Sequence, residues 1–171
     1  LDILLKAFSN PELKKKKLKL LIAGEFYENE ASYRKLASES GIEKDVIFFN
    51  RFIKDDEVKL FFCAADLVVQ PYKTATQSGV TQIAYHFDKP MLVTDVGGLK
   101  ETVAHEKCGY VVKPEPEDIS AAIIDFFSRD RNEEFTECVR KEKVKFSWNR
   151  MTDAVTEVFY RCLLKQLIKD L

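Results

Sequence analysis

The residues best suited to chemistry lie between Gln70 and Phe87. Thr74, Thr76 and Ser78 supply hydroxyls, Gln77 and Gln82 supply amides, and Gly79 follows directly on Ser78, with no carboxylate anywhere in the segment. A polar run of small residues that feeds an apolar helix suits an anion. The unpaired N–H groups and the dipole at a helix start attract phosphate above all. A glycine there lets a ligand come close to the backbone. An alternative of equal standing is purely structural, with Ser78 capping the helix and Thr76 making a turn.

Other chemistries find little support. No Gly-x-Gly-x-x-Gly follows a strand, and no Gly-Lys-Ser/Thr is present. The expected central strand ends are Gly24, Asn50 and Pro71, which leaves no aspartate where a phosphorelay receiver would need one. His86 and His105 have no partners at ligand spacing and read as helix-surface or capping residues. Cys63, Cys108, Cys138 and Cys162 form no Cys-x-x-Cys pair, so buried thiols in a reducing cytosol are expected rather than a disulfide framework. Net charge is −1, which gives nucleic acid no electrostatic footing, and Lys14 to Lys17 reads as a solvated turn.

The elements that must position these residues follow from hydrophobic pattern. The 171 residues are 46% hydrophobic and 32% charged, a composition for one soluble domain with a substantial core. Strands are predicted at residues 18–23, 46–49, 66–70, 91–94 and 110–112. Helices are predicted at 1–8, 28–40, 55–64, 78–87 and 99–105, the first ended by Asn10-Pro11 and the second by Gly41. This alternation predicts an α/β fold, a Rossmann-like doubly wound parallel sheet with helices on both faces. Three successive helices, 119–127, 133–145 and 151–167, make a helical C-terminal tail. The apolar stripe Ala154, Val155, Val158, Phe159, Cys162 and Leu163 is expected to pack into the core, with Trp148 anchoring the start of that helix. In such sheets ligands bind beyond the carboxyl ends of the strands, where four loops meet: Gly24 to Tyr27, Asn50 to Ile53, Tyr72 to Gly79, and Asp95 to Gly98.

The segments LLIAG, VIFFNRFIKDDEVKLFFCAADLVVQPY, SGVTQIAYHFDKPMLVTDVGGLKETV, CGYVVKPEPEDISAAI and FSWNRMTDAVTEVFY stand in that order. Together they resemble the C-terminal domain of GT-B glycosyltransferases, in the large retaining group with glycogen-synthase-like and mannosyltransferase-like members. Ala65-Asp66, Lys89-Pro90, Gly97-Gly98-x-x-Glu101 and Phe146-Ser-Trp148 are its most specific pieces, and it spans essentially the whole chain. The resemblance implies a donor-binding domain for transfer of a sugar from a nucleotide diphosphate sugar, with retention and without metal or cofactor. It implies that Thr76, Gln77, Ser78, Gly79 and Val80 face the diphosphate and sugar. Arg51, Phe52 and Ile53 would meet the nucleobase and Gln82 the ribose, with Gly24, Gly97, Gly98 and Glu101 in supporting loops. It also implies a sugar, glycan or lipid-linked acceptor held by an N-terminal domain of the same chain, a first strand preceding Leu1, and no nucleic-acid partner. A cytoplasmic location is expected, with any peripheral membrane contact made through the N-terminal domain.

Two departures from the family pattern bear on function. The usual pair of glutamates, eight positions apart, falls on Ala75 and Ile83. The usual upstream Arg and Lys would precede Leu1, so Arg51 is the nearest basic candidate. The competing expectation is a non-catalytic GT-B-like binding or scaffold module. A sugar-nucleotide epimerase of the same architecture would need acid/base groups that the sequence does not offer.

Overall fold

A computed structural model describes residues 1–26 and 29–169, with side chains described as far as Cys162 in the last helix. Its elements run α1 (Asp2–Phe8), α2 (Pro11–Lys15), β1 (Leu20–Ala23), α3 (Glu30–Glu39), β2 (Val46–Phe49), α4 (Asp55–Ala64), β3 (Val68–Gln70), α5 (Gly79–His86), β4 (Met91–Thr94), β5 (Gly109–Val112), α6 (Pro116–Ser128), α7 (Asn132–Glu142) and α8 (Trp148–Lys169). Every strand pairing is parallel. The predicted α/β alternation is therefore what forms. Asn10-Pro11 ends α1 as expected but also starts α2, because Asn10 accepts from the Glu12 N–H at 2.9 Å and proline suits a first helical turn. The expected helix at 99–105 is a single 3-10 turn, Leu99–Glu101.

Strand β4 shows why the sheet needs helices on both faces. Met91, Leu92, Val93 and Thr94 are all fully buried. Alternate residues point to opposite faces, and they enter different cores. Leu92 joins Leu4, Leu5, Phe8, Ile123 and Phe126 beneath α1 and α6. Met91 and Val93 join Ala84, Tyr85, Leu99 and Val139 beneath α5 and α7. Asp125 locks α6 to its surroundings, accepting from Tyr110 Oη at 2.7 Å and Arg131 Nε at 3.0 Å. These contacts, Tyr110 first, hold the Asp125 carboxyl below the usual carboxylate range.

The sheet is not continuous. β1 and β2 form one pair, and β3-β4-β5 form a separate three-stranded sheet. The apolar β1 strand is consequently half-exposed, in contrast to β4.

Two packing expectations fail. Trp148 is 76% exposed and anchors nothing, and Val155, Val158 and Phe159 are about as open. Ala154 and Cys162 are exposed too, while Leu163 lies outside the residues whose side chains are described. The reason is geometric: α8 meets the chain chiefly through the turn at residues 143–146, so its stripe has no surface opposite it. The cysteine expectation fails in part. Cys108 and Cys138 are disulfide-bonded where α7 crosses the start of β5, and Cys63 and Cys162 are free and exposed rather than buried.

One buried polar pair joins the end of β3 to α5. Gln70 Nε2 donates to Thr81 Oγ1 at 3.1 Å, and Thr81 Oγ1 lies 3.2 Å from Gln70 Oε1, both residues being almost fully buried. A buried polar group that loses its partner carries its full desolvation cost. Thr81→Val is expected to lower stability by about 1–3 kcal/mol, and adding Gln70→Met to it should restore much of that. Urea unfolding of the two variants checks this.

Candidate functional site

The carboxyl ends of β1 to β4 lead into the four expected loops: β1 into Gly24, β2 into Asn50, β3 into Pro71 and β4 into Asp95. Asn50 joins the first two loops. Its Oδ1 accepts from the Phe26 N–H at 3.0 Å, and its Nδ2 donates to Glu30 at the start of α3 at 2.5 Å.

The third and fourth loops are held together by backbone. The Gly98 N–H donates to Thr76 O at 2.9 Å. A Cβ at Gly98 would lie 2.8 Å from Thr76 O, and one at Gly97 would fall 1.7 Å from Ala75 O. Gly97 also has φ +52°, a left-handed conformation that side-chain-bearing residues rarely adopt. Only two glycines let these chains approach so closely. Thr94 Oγ1 donates to Tyr72 O at 2.6 Å and fixes the exit of β3. The supporting role expected of Gly97 and Gly98 is thus a steric requirement, a signal the Gly-Gly pair carried in sequence. Glu101 stands exposed in the 3-10 turn that follows, and its N–H donates to Gly98 O.

Held in this way, residues 74–78 deliver the chain into α5. Ser78 is the residue before the first turn, but its hydroxyl gives no capping hydrogen bond. Ser78 Oγ lies 3.4 Å from Tyr72 Oη instead. The simple capping alternative therefore does not hold, and no side chain takes up the first-turn N–H groups. A Cβ at Gly79 would meet nothing within 4 Å. Thr76 and Gln77 are exposed, and Val80 is half-buried. The structure brings Thr76, Gln77, Ser78, Gly79 and Val80 together around an open helix start with no acidic residue in its first turn.

The cations are placed less simply. Arg51 is engaged by Glu57 through two hydrogen bonds, at 2.7 and 2.8 Å. Arg51, with help from the Lys54 N–H, holds the Glu57 carboxyl down at about 2. Lys100 pairs with Asp95 at 3.2 Å, and Lys73 with Asp2 at 2.9 Å. The guanidinium expected to face a diphosphate is thus already neutralised. Phe52 is 66% exposed beside it, Ile53 is half-buried, and Gln82 is exposed on α5. Beside the third loop lies a hollow of about 440 Å³, walled by Asp2, Tyr33, Leu36, Tyr72, Lys73 and Thr74 among others. Sequence reasoning missed it, because α1 and α3 contribute walls from distant positions. Ala75 and Ile83 put no charge near the helix start. Gly24 has open space above it. Among the described residues, no cluster of His, Cys, Asp or Glu is arranged to hold a metal ion, and no helix is long and apolar enough to cross a membrane.

The family model for group 1 glycosyl transferases matches residues 1–129, and the chain belongs to that family. An uncharacterised glycosyltransferase of Methanocaldococcus jannaschii is 29% identical over 127 residues, which cover 72% of this chain and 32% of that protein. Two solved structures share the fold. One is a glycosyltransferase from Rickettsia africae (TM-score 0.79, 19% identity, 94% of this chain and 44% of that one). The other is Anabaena HepE in complex with UDP (TM-score 0.78, 18% identity, 93% and 44%). The architecture is that of the GT-B glycosyltransferases, and the chain spans less than half the length of each of these relatives.

The contact between the glycine turn and the third loop is directly testable. Gly97→Ala forces a Cβ into the Ala75 carbonyl at a left-handed position. It is expected to cost roughly 2 kcal/mol or more and to shift the amide resonances of residues 74–80 together. Thermal unfolding and an amide correlation spectrum check both parts.

Proposed function

We propose that this chain is the donor-binding domain of a glycosyltransferase that moves a sugar from a nucleotide diphosphate sugar to an acceptor hydroxyl. The observation that carries this reading is the uncapped start of α5, open above Gly79 and fixed by the Gly97-Gly98 turn. The diphosphate lies against the N–H groups of Gly79 and Val80, where helix dipole and unpaired donors favour negative charge. Thr76, Gln77 and Ser78 supply neutral hydrogen bonds to phosphate and sugar oxygens. The base rests by Arg51, Phe52 and Ile53, with Gln82 in reach of the ribose. UDP in the Anabaena relative supports a nucleotide of this class.

Chemistry of this kind asks the protein chiefly to stabilise charge on the departing diphosphate and to align the acceptor hydroxyl. The local cations are tied to carboxylates, so the main-chain amides carry most of the stabilisation this domain provides. Acceptor binding falls to an N-terminal domain of the longer protein, which also makes any peripheral membrane contact from the cytoplasmic side. The acceptor is a sugar, a glycan or a lipid-linked sugar. Transfer proceeds with retention, needs neither metal nor cofactor, and serves carbohydrate biosynthesis. This chain alone is inactive.

A second reading is favoured by Ala75 and Ile83, which place no acid near the helix start, and by the Arg51–Glu57 pair. It is a GT-B-like module that binds or scaffolds without catalysis.

Calorimetric titration with UDP, GDP and ADP tests the donor site. One of them is expected to bind weakly, with Kd roughly millimolar, about −4 kcal/mol. Gly79→Ala meets no steric obstacle in the free protein and should leave stability unchanged or slightly raised. It is expected to weaken that nucleotide about tenfold, about 1.4 kcal/mol, because its methyl group occupies the diphosphate approach. Silence toward all three nucleotides contradicts the donor site and leaves the module reading.

A further inference from the structure

The break in the sheet is a shaped slot. A cavity of about 290 Å³ lies between β1 and β3, lined by both strand edges. Leu4 and Phe8 of α1 and Ile123 and Phe127 of α6 close it on one face, and Phe61 and Phe62 of α4 line it from their own helix. The backbone on either side points into it. The Gly24 N–H donates to Phe49 O at 3.2 Å, toward β2, and the Val68 N–H to Pro90 O at 3.0 Å, toward β4. Successive residues of a strand direct their N–H groups to opposite sides. The amides of Leu21 and Ala23 on β1, and of Leu67 and Val69 on β3, therefore turn toward the slot. Leu21 is 38% exposed although its neighbours are apolar. Two facing, unpaired edges under a ready-made helical cover are what one further strand would complete.

The slot also fixes the occupant's direction and connection. Leu1 and Asp2 sit beside Pro71 to Thr74, at the carboxyl edge of β3, and Asp2 is paired with Lys73 there. A strand parallel to β1 and β3 would finish at that edge, next to Leu1. Passing from it through α1 to β1 then makes a strand–helix–strand crossover, the connection parallel sheets use, normally right-handed. Because helices already cover the slot, the occupant must be apolar on both sides, a short run rich in Val and Ile.

We propose that the slot between β1 and β3 is a strand-acceptor site, filled by a parallel, apolar segment joined to the chain immediately before Leu1. With it in place, β2-β1 and β3-β4-β5 become one six-stranded sheet. The proposal does not depend on the sugar-transfer reading, since it concerns the sheet and not the ligand.

Amide hydrogen exchange tests it on this chain carrying an N-terminal extension of sequence Lys-Val-Ile-Val-Val-Ile-Gly. The control extension has proline at alternate positions, which removes ladder donors. The apolar extension is expected to slow exchange at Leu21, Ala23, Leu67 and Val69 roughly tenfold or more over the control, with Met91 to Thr94 little changed. Equal exchange at those four amides overturns the proposal. So does strong protection of them in the unextended chain, whether β1 and β3 close on each other or pair between copies in a concentration-dependent way. Should the extended chain fail to fold, the same apolar heptapeptide is added in trans to the unextended protein. Protection of the same four amides then supports the site, and its absence overturns it.

Discussion

The candidate site depends on one close approach, between the Gly97-Gly98 turn and the carbonyls of Ala75 and Thr76. A side chain at either glycine would strike backbone, which cannot move aside as a flexible side chain can. That contact, with the Gly98 N–H to Thr76 O hydrogen bond, fixes the loop that delivers Ser78 and Gly79 to the start of α5. Behind it, the buried Gln70–Thr81 pair ties the end of β3 to α5. The helix start is therefore positioned from both sides before any ligand arrives, and positioning is the larger part of what such a site must do.

The electrostatics around that start are muted. Arg51, Lys73 and Lys100 each stand against a carboxylate. An anion gains little from these cations unless it displaces a partner, and exposed ion pairs are individually weak. What remains is directional: main-chain N–H groups, a helix dipole and hydroxyls. This arrangement recognises a phosphate without a strong net field, which agrees with a chain whose formal charge is −1.

Much of the fold was legible in the sequence because its strands are unbroken apolar runs between turn residues. Val46–Phe49 and Met91–Thr94 fall where the pattern put them. The loop functions of Gly97 and Gly98 were legible for the same reason, since a Gly-Gly pair after a buried strand marks a close approach. Three features were not. The engagement of Arg51 by Glu57 depends on rotamers and on the turn between them. The hollow beside Thr74 is walled by α1 and α3, whose proximity is a tertiary fact. The exposure of α8 runs against its own apolar stripe, because periodicity reports which face wants burial and not whether a surface is there to provide it. The disulfide between Cys108 and Cys138 escaped notice because no local spacing rule covers a pair 30 residues apart.

The central claim is that a nucleotide diphosphate is held by the first-turn amides of α5. Titrating the isotopically labelled chain with UDP and following its amide resonances tests this most directly. The account predicts that Ser78, Gly79 and Val80 move furthest, with smaller shifts at Gly97 and Gly98. It is contradicted if those three amides stay fixed at millimolar UDP while shifts appear elsewhere or nowhere.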